Sequence, residues 1–119
     1  MKNKIKIAGL FLLIIFSVNT VSAASKWKKE SFKVHGNCGM CKQNIEASLK
    51  VTGIDAALWN PDSKLLKVKY DPKVVSIDKI HQLVADAGYD TDVLKASEVA
   101  YNKLAKCCQY RSNSCSHDK

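Results

Sequence analysis

An α+β fold of order β-α-β-β-α-β, with one further helix at the C-terminus, is what the sequence predicts, and three observations carry that expectation. Alternating apolar and polar residues recur in four short stretches, at 31–35, 54–58, 66–70 and 89–93. Two stretches of helical spacing fall between the first and second and between the third and fourth of these, each closed by a glycine. The junctions carry turn chemistry: Gly53, Asn60-Pro61-Asp62-Ser63, Asp71-Pro72 and Gly88. That order is the ferredoxin-like sandwich.

In the first strand, Ser31-Phe32-Lys33-Val34-His35, Phe32 and Val34 share the inner face, and His35 is left to solvent or the open sheet face. Asn37 is placed to cap the first helix. Cys41, Ile45, Ser48, Leu49 and Thr52 then recur at helical spacing before Gly53 ends it. Ile54, Ala56 and Leu58 alternate in the second strand; Leu66, Val68 and Tyr70 do so in the third. Ser76 caps a second helix whose apolar stripe is Ile77, Ile80, Val84 and Ala87, closed by Gly88. Tyr89, Thr91 and Val93 make the fourth strand. A last helix over 96–106, capped by Ser97, aligns Tyr101, Leu104, Ala105 and Cys108 along one side.

Residues 1–23 stand apart from this plan. Three lysines among the first six residues precede the apolar run IAGLFLLIIF, and Val21-Ser22-Ala23 offers small residues at the spacing a signal peptidase requires. The expectation is a signal peptide cleaved after Ala23, with export to the periplasm or beyond and no stable membrane anchor afterwards. The alternative is an uncleaved anchor, since nineteen uncharged residues from Ile7 to Ser25 approach the roughly 20 that span a bilayer. No cysteine stands at the junction for a lipid anchor. Cleavage removes three lysines and no acid, taking the net charge from +8 to +5. The remaining positive charges are scattered through 26–33, 64–73 and the C-terminal region. This describes a solvated surface and argues against a nucleic-acid partner.

All five cysteines lie beyond the leader: Cys38, Cys41, Cys107, Cys108 and Cys115. An odd number does not close into a disulfide framework, and adjacent Cys107 and Cys108 bridge each other only with strain. Metal ligation or redox cycling therefore gains weight over stapling. Cys38-Gly39-Met40-Cys41 places two sulfurs on a turn leading into a helix, whose N-terminus favours thiolate. Two chemistries use such a turn. One is a two-thiolate clamp for a soft ion; the other is the redox centre of a thioredoxin, whose C-G-x-C-K the stretch Cys38 to Lys42 matches. Pro61 and Pro72, the only prolines, sit in turns beside the third strand, so no cis-proline loop is provided for. A thiol–disulfide oxidoreductase using Cys38 and Cys41 stays as the alternative.

The chain resembles the heavy-metal-associated (HMA) domain family over Phe32 to Val93. The resemblance rests on His35-Gly36-Asn37-Cys38-Gly39-Met40-Cys41 in place of the family's G-M-x-C-x-x-C loop. It rests further on Trp59-Asn60, on Val68-x-Tyr70-Asp71-Pro72 and on Ala87-Gly88-Tyr89-Asp90. The family includes copper chaperones, periplasmic mercury-binding proteins and modules of metal-pumping ATPases. The resemblance implies Cys38 and Cys41 as ligands for Cu(I), Hg(II) or another soft ion such as zinc, and Tyr89 beside the loop as a shield; a plain core aromatic is the other reading of Tyr89. One departure is that Gly36 or Asn37 stands where the family has a methionine beneath the loop. The organisation expected is a signal peptide at 1–23, a heavy-metal-associated domain at 24–95, and a C-terminal helix with a cysteine-rich tail at 96–119.

Beyond the resemblance, Cys107, Cys108, Cys115 and His117 fall within eleven residues, a set of soft ligands or else a disulfide of Cys107 or Cys108 with Cys115. In the expected topology the fourth strand leads away from the loop by roughly 20 Å, and a ten-residue helix returns roughly 15 Å. With Ala57, Trp59 and Leu65 directed away from the two-helix side, that helix would cover the open sheet face. It would bring Cys107 and Cys108 back towards Cys38 and Cys41. The function this predicts is an exported, non-enzymatic carrier of a thiophilic ion. Its partners are the ion and a membrane metal transporter or another metal-binding domain.

Overall fold

A computed structural model describes residues 26–112. The expected leader and its cleavage point, and at the other end Cys115 and His117, lie outside the described residues. The elements run β1 (Lys28–Lys33), α1 (Gly39–Ser48), β2 (Ile54–Trp59), β3 (Leu65–Tyr70), α2 (Ile77–Asp86) and α3 (Glu98–Asn102), followed by a 3-10 turn at Lys106–Cys108. The strands form an antiparallel sheet in the order β1-β3-β2, with Phe32 and Trp59 both opposite Leu66. Phe32, Leu66, Val68 and Tyr70 meet Ile45 of α1, Leu49 at its C-cap, and Ile80 and Val84 of α2, which closes the core on one side of the sheet. The spacing of these residues in the sequence is the reason: period two in the strands, three to four in the helices. Among the described residues no helix is long and apolar enough to cross a membrane.

The expected alternation of β2 is inverted. A β-bulge between Ile54 and Ala56 changes its parity, so Trp59 turns inward and is fully buried while Leu58 is 59% exposed. Trp59 therefore belongs to the core and not to the outer face, where Lys67 and Lys69 alternate with the inward residues of β3. Gly36 admits the ring. A Cβ there would stand 3.0 Å from Trp59 Cη2 and 3.2 Å from Cys41 Cβ.

The fourth strand is reduced to a single bridge, Val34 with Thr91. Local bonds outcompete the ladder. Thr91 Oγ1 accepts from the backbone N–H of Val93 and Leu94, and Thr91 N–H donates to the Leu94 carbonyl at 2.7 Å. The chain thus turns at 91–94 where it was expected to continue outward. The C-terminal helix, expected over 96–106, is also shorter. Ser97 does cap it, accepting from Ala100 N–H, but α3 ends at Asn102. So short a helix has little cooperativity to defend its length against the burial of Leu104 and Cys108 on the other elements.

His81, on α2, is one of two buried polar residues among those described, its ring tilted against Phe32 at 3.9 Å and bonded to Thr91 Oγ1 at 2.7 Å. Burial pushes its pKa down, against the opposing pull of Asp92, Asp78 and Glu30. The unfolded chain then takes up a proton more readily than the folded one, so stability is lost as pH falls through the free-histidine value of about 6.5. The thermal midpoint of the natural protein is expected to drop between pH 8 and pH 5.5 by more than that of His81→Gln. Equal drops would assign the acid sensitivity to other groups.

Candidate metal centre

The loop between β1 and α1 is held on both sides by the backbone. Val34 N–H donates to the Lys64 carbonyl and His35 N–H to the Asp90 carbonyl, each at 2.9 Å. Helix α1 begins at Gly39 with Cys38 as its N-cap residue, not Asn37 as expected. Asn37 is used differently: its Oδ1 accepts from the Cys41 thiol at 3.0 Å. The Cys38 and Cys41 sulfurs lie 3.7 Å apart, Cys38 half-buried and Cys41 fully buried.

A third sulfur joins them. Cys108 is fully buried with its Sγ 4.0 Å from Cys38 Sγ, and the three sulfurs all lie within 4.8 Å of one another. The tail reaches this point along the helix side of the domain, not over the open sheet face. Leu104 packs against the backbone at Gly88, whose left-handed φ of 103° and close neighbours leave no room for a side chain. Tyr110 stacks on Tyr89 at 5.8 Å, meets Tyr101 edge-on at 5.3 Å, donates to the Gly88 carbonyl and accepts from Asp90 N–H. Arg111 grips both Asp90 oxygens, at 2.6 and 3.1 Å, and donates to the Ala96 carbonyl at 2.8 Å. Burial acts against the Asp90 carboxylate, but Arg111 and the Ala96 N–H outweigh it and hold its pKa below the usual range.

The three thiols are not equivalent. Burial acts to raise the Cys38 pKa, yet the Cys41 and Met40 backbone N–H groups and the neighbouring thiols of Cys41 and Cys108 lower it overall. At Cys108 burial and the Cys41 thiol act together and push the thiol well up. Tyr89, fully buried beside these sulfurs, is raised by burial although Asn44 donates to its hydroxyl at 3.0 Å. It belongs to the buried core, as the plainer of the two readings expected, and it also lies beside the loop. Lys42 turns from the sulfurs to Glu46 at 2.6 Å and the Trp59 carbonyl at 2.8 Å. His35 is exposed and stacks on Tyr110 at 6.5 Å. Cys107 is exposed and lies outside the three-sulfur group, its Sγ 3.7 Å from Met40 Sδ.

Sulfurs bound to one ion at about 2.3 Å stand roughly 4.0 Å apart in a trigonal plane and roughly 4.6 Å apart in a line. The observed separations bracket the trigonal triangle, so one soft ion fits among the three with little movement. Two features of this site were not anticipated from the sequence: Trp59 beneath the loop, and Tyr110 with Arg111 as the pegs of the tail. Gly36 in place of the family's methionine was a signal for the first, since a missing side chain beneath the loop needs a large one from elsewhere.

A thiol-lined loop at one end of a ferredoxin-like sheet defines a class of small domain. The profile described as "Heavy-metal-associated domain" matches residues 31–90, half of the chain, and the chain belongs to that family. The cation-transporting ATPase HMA5 of Oryza sativa subsp. japonica is 32% identical over 77 residues, which cover 63% of this chain and 8% of the ATPase. The copper chaperone CopZ of Staphylococcus aureus (strain bovine RF122 / ET3-1) is 31% identical over 64 residues, 52% of this chain and 94% of the chaperone. A solved structure of CopZ metallochaperone superposes with a TM-score of 0.52 at 30% identity, covering 54% of this chain and 98% of that one. This chain therefore spans nearly all of the chaperone and only a small part of the ATPase.

The contact of Gly36 with Trp59 and Cys41 supports the loop and is open to a direct check. Gly36→Val forces a branched side chain into contacts of 3.0–3.2 Å. It is expected to destabilise the fold by about 1–3 kcal/mol, the usual range for overpacking, measured by denaturant unfolding.

Proposed function

We propose that this chain is a non-enzymatic carrier of a soft, thiophilic ion, exported through its N-terminal leader and acting as a chaperone, scavenger or resistance component. The observation that carries the reading is the group Cys38, Cys41 and Cys108, three sulfurs within 4.8 Å of one another at the edge of the core. Cu(I) is the leading cargo, with Hg(II) and Zn(II) as competitors, because thiolates prefer soft d10 cations. Support comes from the likeness to a copper chaperone over nearly the whole of that protein. Delivery is to a membrane metal transporter or another metal-binding domain.

Within this group the first bond falls to Cys38, the least buried of the three thiols and the one with the lowered pKa. The ion then gains Cys41 and Cys108, each thiol giving up its proton as its metal–sulfur bond forms. Exchange of thiolates one at a time passes the ion on without a free-ion intermediate. The alternative, thiol–disulfide exchange, draws on the same lowered Cys38 pKa and its 3.7 Å approach to Cys41. It leaves the third buried thiol without a role.

X-ray absorption of the reduced full chain with one equivalent of Cu(I) is expected to report about three sulfurs, and Cys108→Ser about two. Cys38→Ser and Cys41→Ser should each weaken Cu(I) retention against a competing chelator while far-ultraviolet circular dichroism stays unchanged. Unaltered retention in both would place the cargo elsewhere.

A further inference from the structure

The two segments that build the three-sulfur site also present a second pair of soft donors, facing outward. In 38–41, Cys38 and Cys41 meet Cys108, while Met40 is 48% exposed. At 107–108, Cys108 turns inward and Cys107 outward. The outward members meet each other, Cys107 Sγ lying 3.7 Å from Met40 Sδ. Cys38 sits at the boundary between the two: its Sγ is 3.7 Å from Cys41 Sγ, 4.0 Å from Cys108 Sγ and 3.7 Å from the Cys107 carbonyl. Cys41 and Cys108 are fully buried, so an ion reaching them passes Cys38 first.

We propose that Met40 and Cys107 form a second, surface subsite for a monovalent soft cation of the Cu(I) class. It serves as the port through which the ion reaches and leaves the three-sulfur site. The inference rests on the reading of that site as the cargo site. The donor set argues for the cation class: a neutral thioether with one thiolate gives a soft environment that neutralises one positive charge, suited to Cu(I) and poor for Zn(II). The spacing argues for a port. Two bonds of about 2.3 Å to sulfurs 3.7 Å apart subtend roughly 107° at the ion, which leaves positions on the solvent side for a donor's or acceptor's ligands.

The handover is ligand exchange without redox change. Cys107 loses its proton to water when the ion binds. Cys38 gives its proton to water as its bond to the ion forms and the bond to Met40 breaks. Cys41 and Cys108 likewise give up their protons to water as their bonds form and the bond to Cys107 breaks, and Cys107 regains a proton from water. Release runs the same steps in reverse.

The test uses the reduced full chain with Cu(I) supplied as its acetonitrile complex, read by native mass spectrometry and by stopped-flow uptake. The natural protein is expected to bind two Cu(I) and, under the same conditions, one Zn(II). Met40→Leu and Cys107→Ser, both at exposed positions, should bind one Cu(I) and load it about tenfold more slowly. The double variant should be no slower than either single one, because each single loss already breaks the pair. Two ions bound by both single variants, or loading at the natural rate, would overturn the port. So would loss of the first ion in Cys107→Ser, which would move Cys107 into the cargo site. Failure of the underlying reading is separate: the natural protein would then fail to hold even the first Cu(I) on about three sulfurs.

Discussion

Asp90 ties the C-terminal segment to the rest of the domain through a two-point ion pair with Arg111, and the arrangement of the three thiols follows from that clasp. Asp90 comes directly after Tyr89, which lines the site, and Arg111 comes three residues after Cys108. A bond between these positions therefore spans the site itself. The clasp is reinforced from both flanks: Asp90 also accepts from Ala96 N–H at 2.7 Å, and the guanidinium lies 4.4 Å from the Tyr101 ring. Tyr110 adds an apolar body between Tyr89 and Tyr101. A partly buried charge pair is tolerated here because both partners are hydrogen-bonded beyond each other, the condition under which desolvation is offset. Without the turn at 91–94 the fourth strand would run outward, and this short clasp could not form.

The clasp brings together groups that resist sharing a site. The neighbouring thiols help Cys38 to ionise, but a second thiolate in the same poorly solvated pocket is opposed by the first, and burial adds to that. The result is a graded set, with Cys38 lowered and Cys108 raised. A cation placed among them removes both penalties at once, since it neutralises charge and substitutes for the missing solvent. The buried sulfurs thus favour a metal over three separate anions. The asymmetry also gives the exchange a direction of approach. Within the three-sulfur group the least buried sulfur is also the more acidic of the two that are shifted, so exposure and ionisation favour the same residue.

Much of this was legible in the sequence. Both long helices, the caps at Ser76 and Ser97, the three paired strands and the loop with Cys38 and Cys41 follow from periodicity and turn residues, which act over a few positions. The expectation that the tail sends a cysteine back to the loop also agrees with the position of Cys108. What sequence reading missed lies where one local choice competes with another. The bulge after Ile54 reverses the faces of β2, and nothing in Ile54-Asp55-Ala56-Ala57-Leu58-Trp59 announces it; the reversal is set by the fit of Trp59 against Gly36. The route of the tail was misjudged for a related reason. Tyr89, Thr91 and Val93 alternate as a strand should, but the Thr91 hydroxyl closes a turn whose bonds lie within four residues and so form at little entropic cost.

Trp59 shows how one departure from a family's pattern reorganises a site. With glycine beneath the loop, a side chain from β2 fills the space, and its indole N–H donates to the Val34 carbonyl at 3.0 Å. The ring therefore fixes the end of β1 and touches the start of α1 at Cys41, joining the two elements that flank the loop. A methionine in the loop would supply flexible packing on the loop's own backbone. A tryptophan anchored in the sheet supplies a rigid floor against which Cys41 is packed, while Gly39 has nothing within 4 Å of where a side chain would begin and Met40 is exposed. That division suits a carrier, in which one ligand must swing between partners while the others hold the ion.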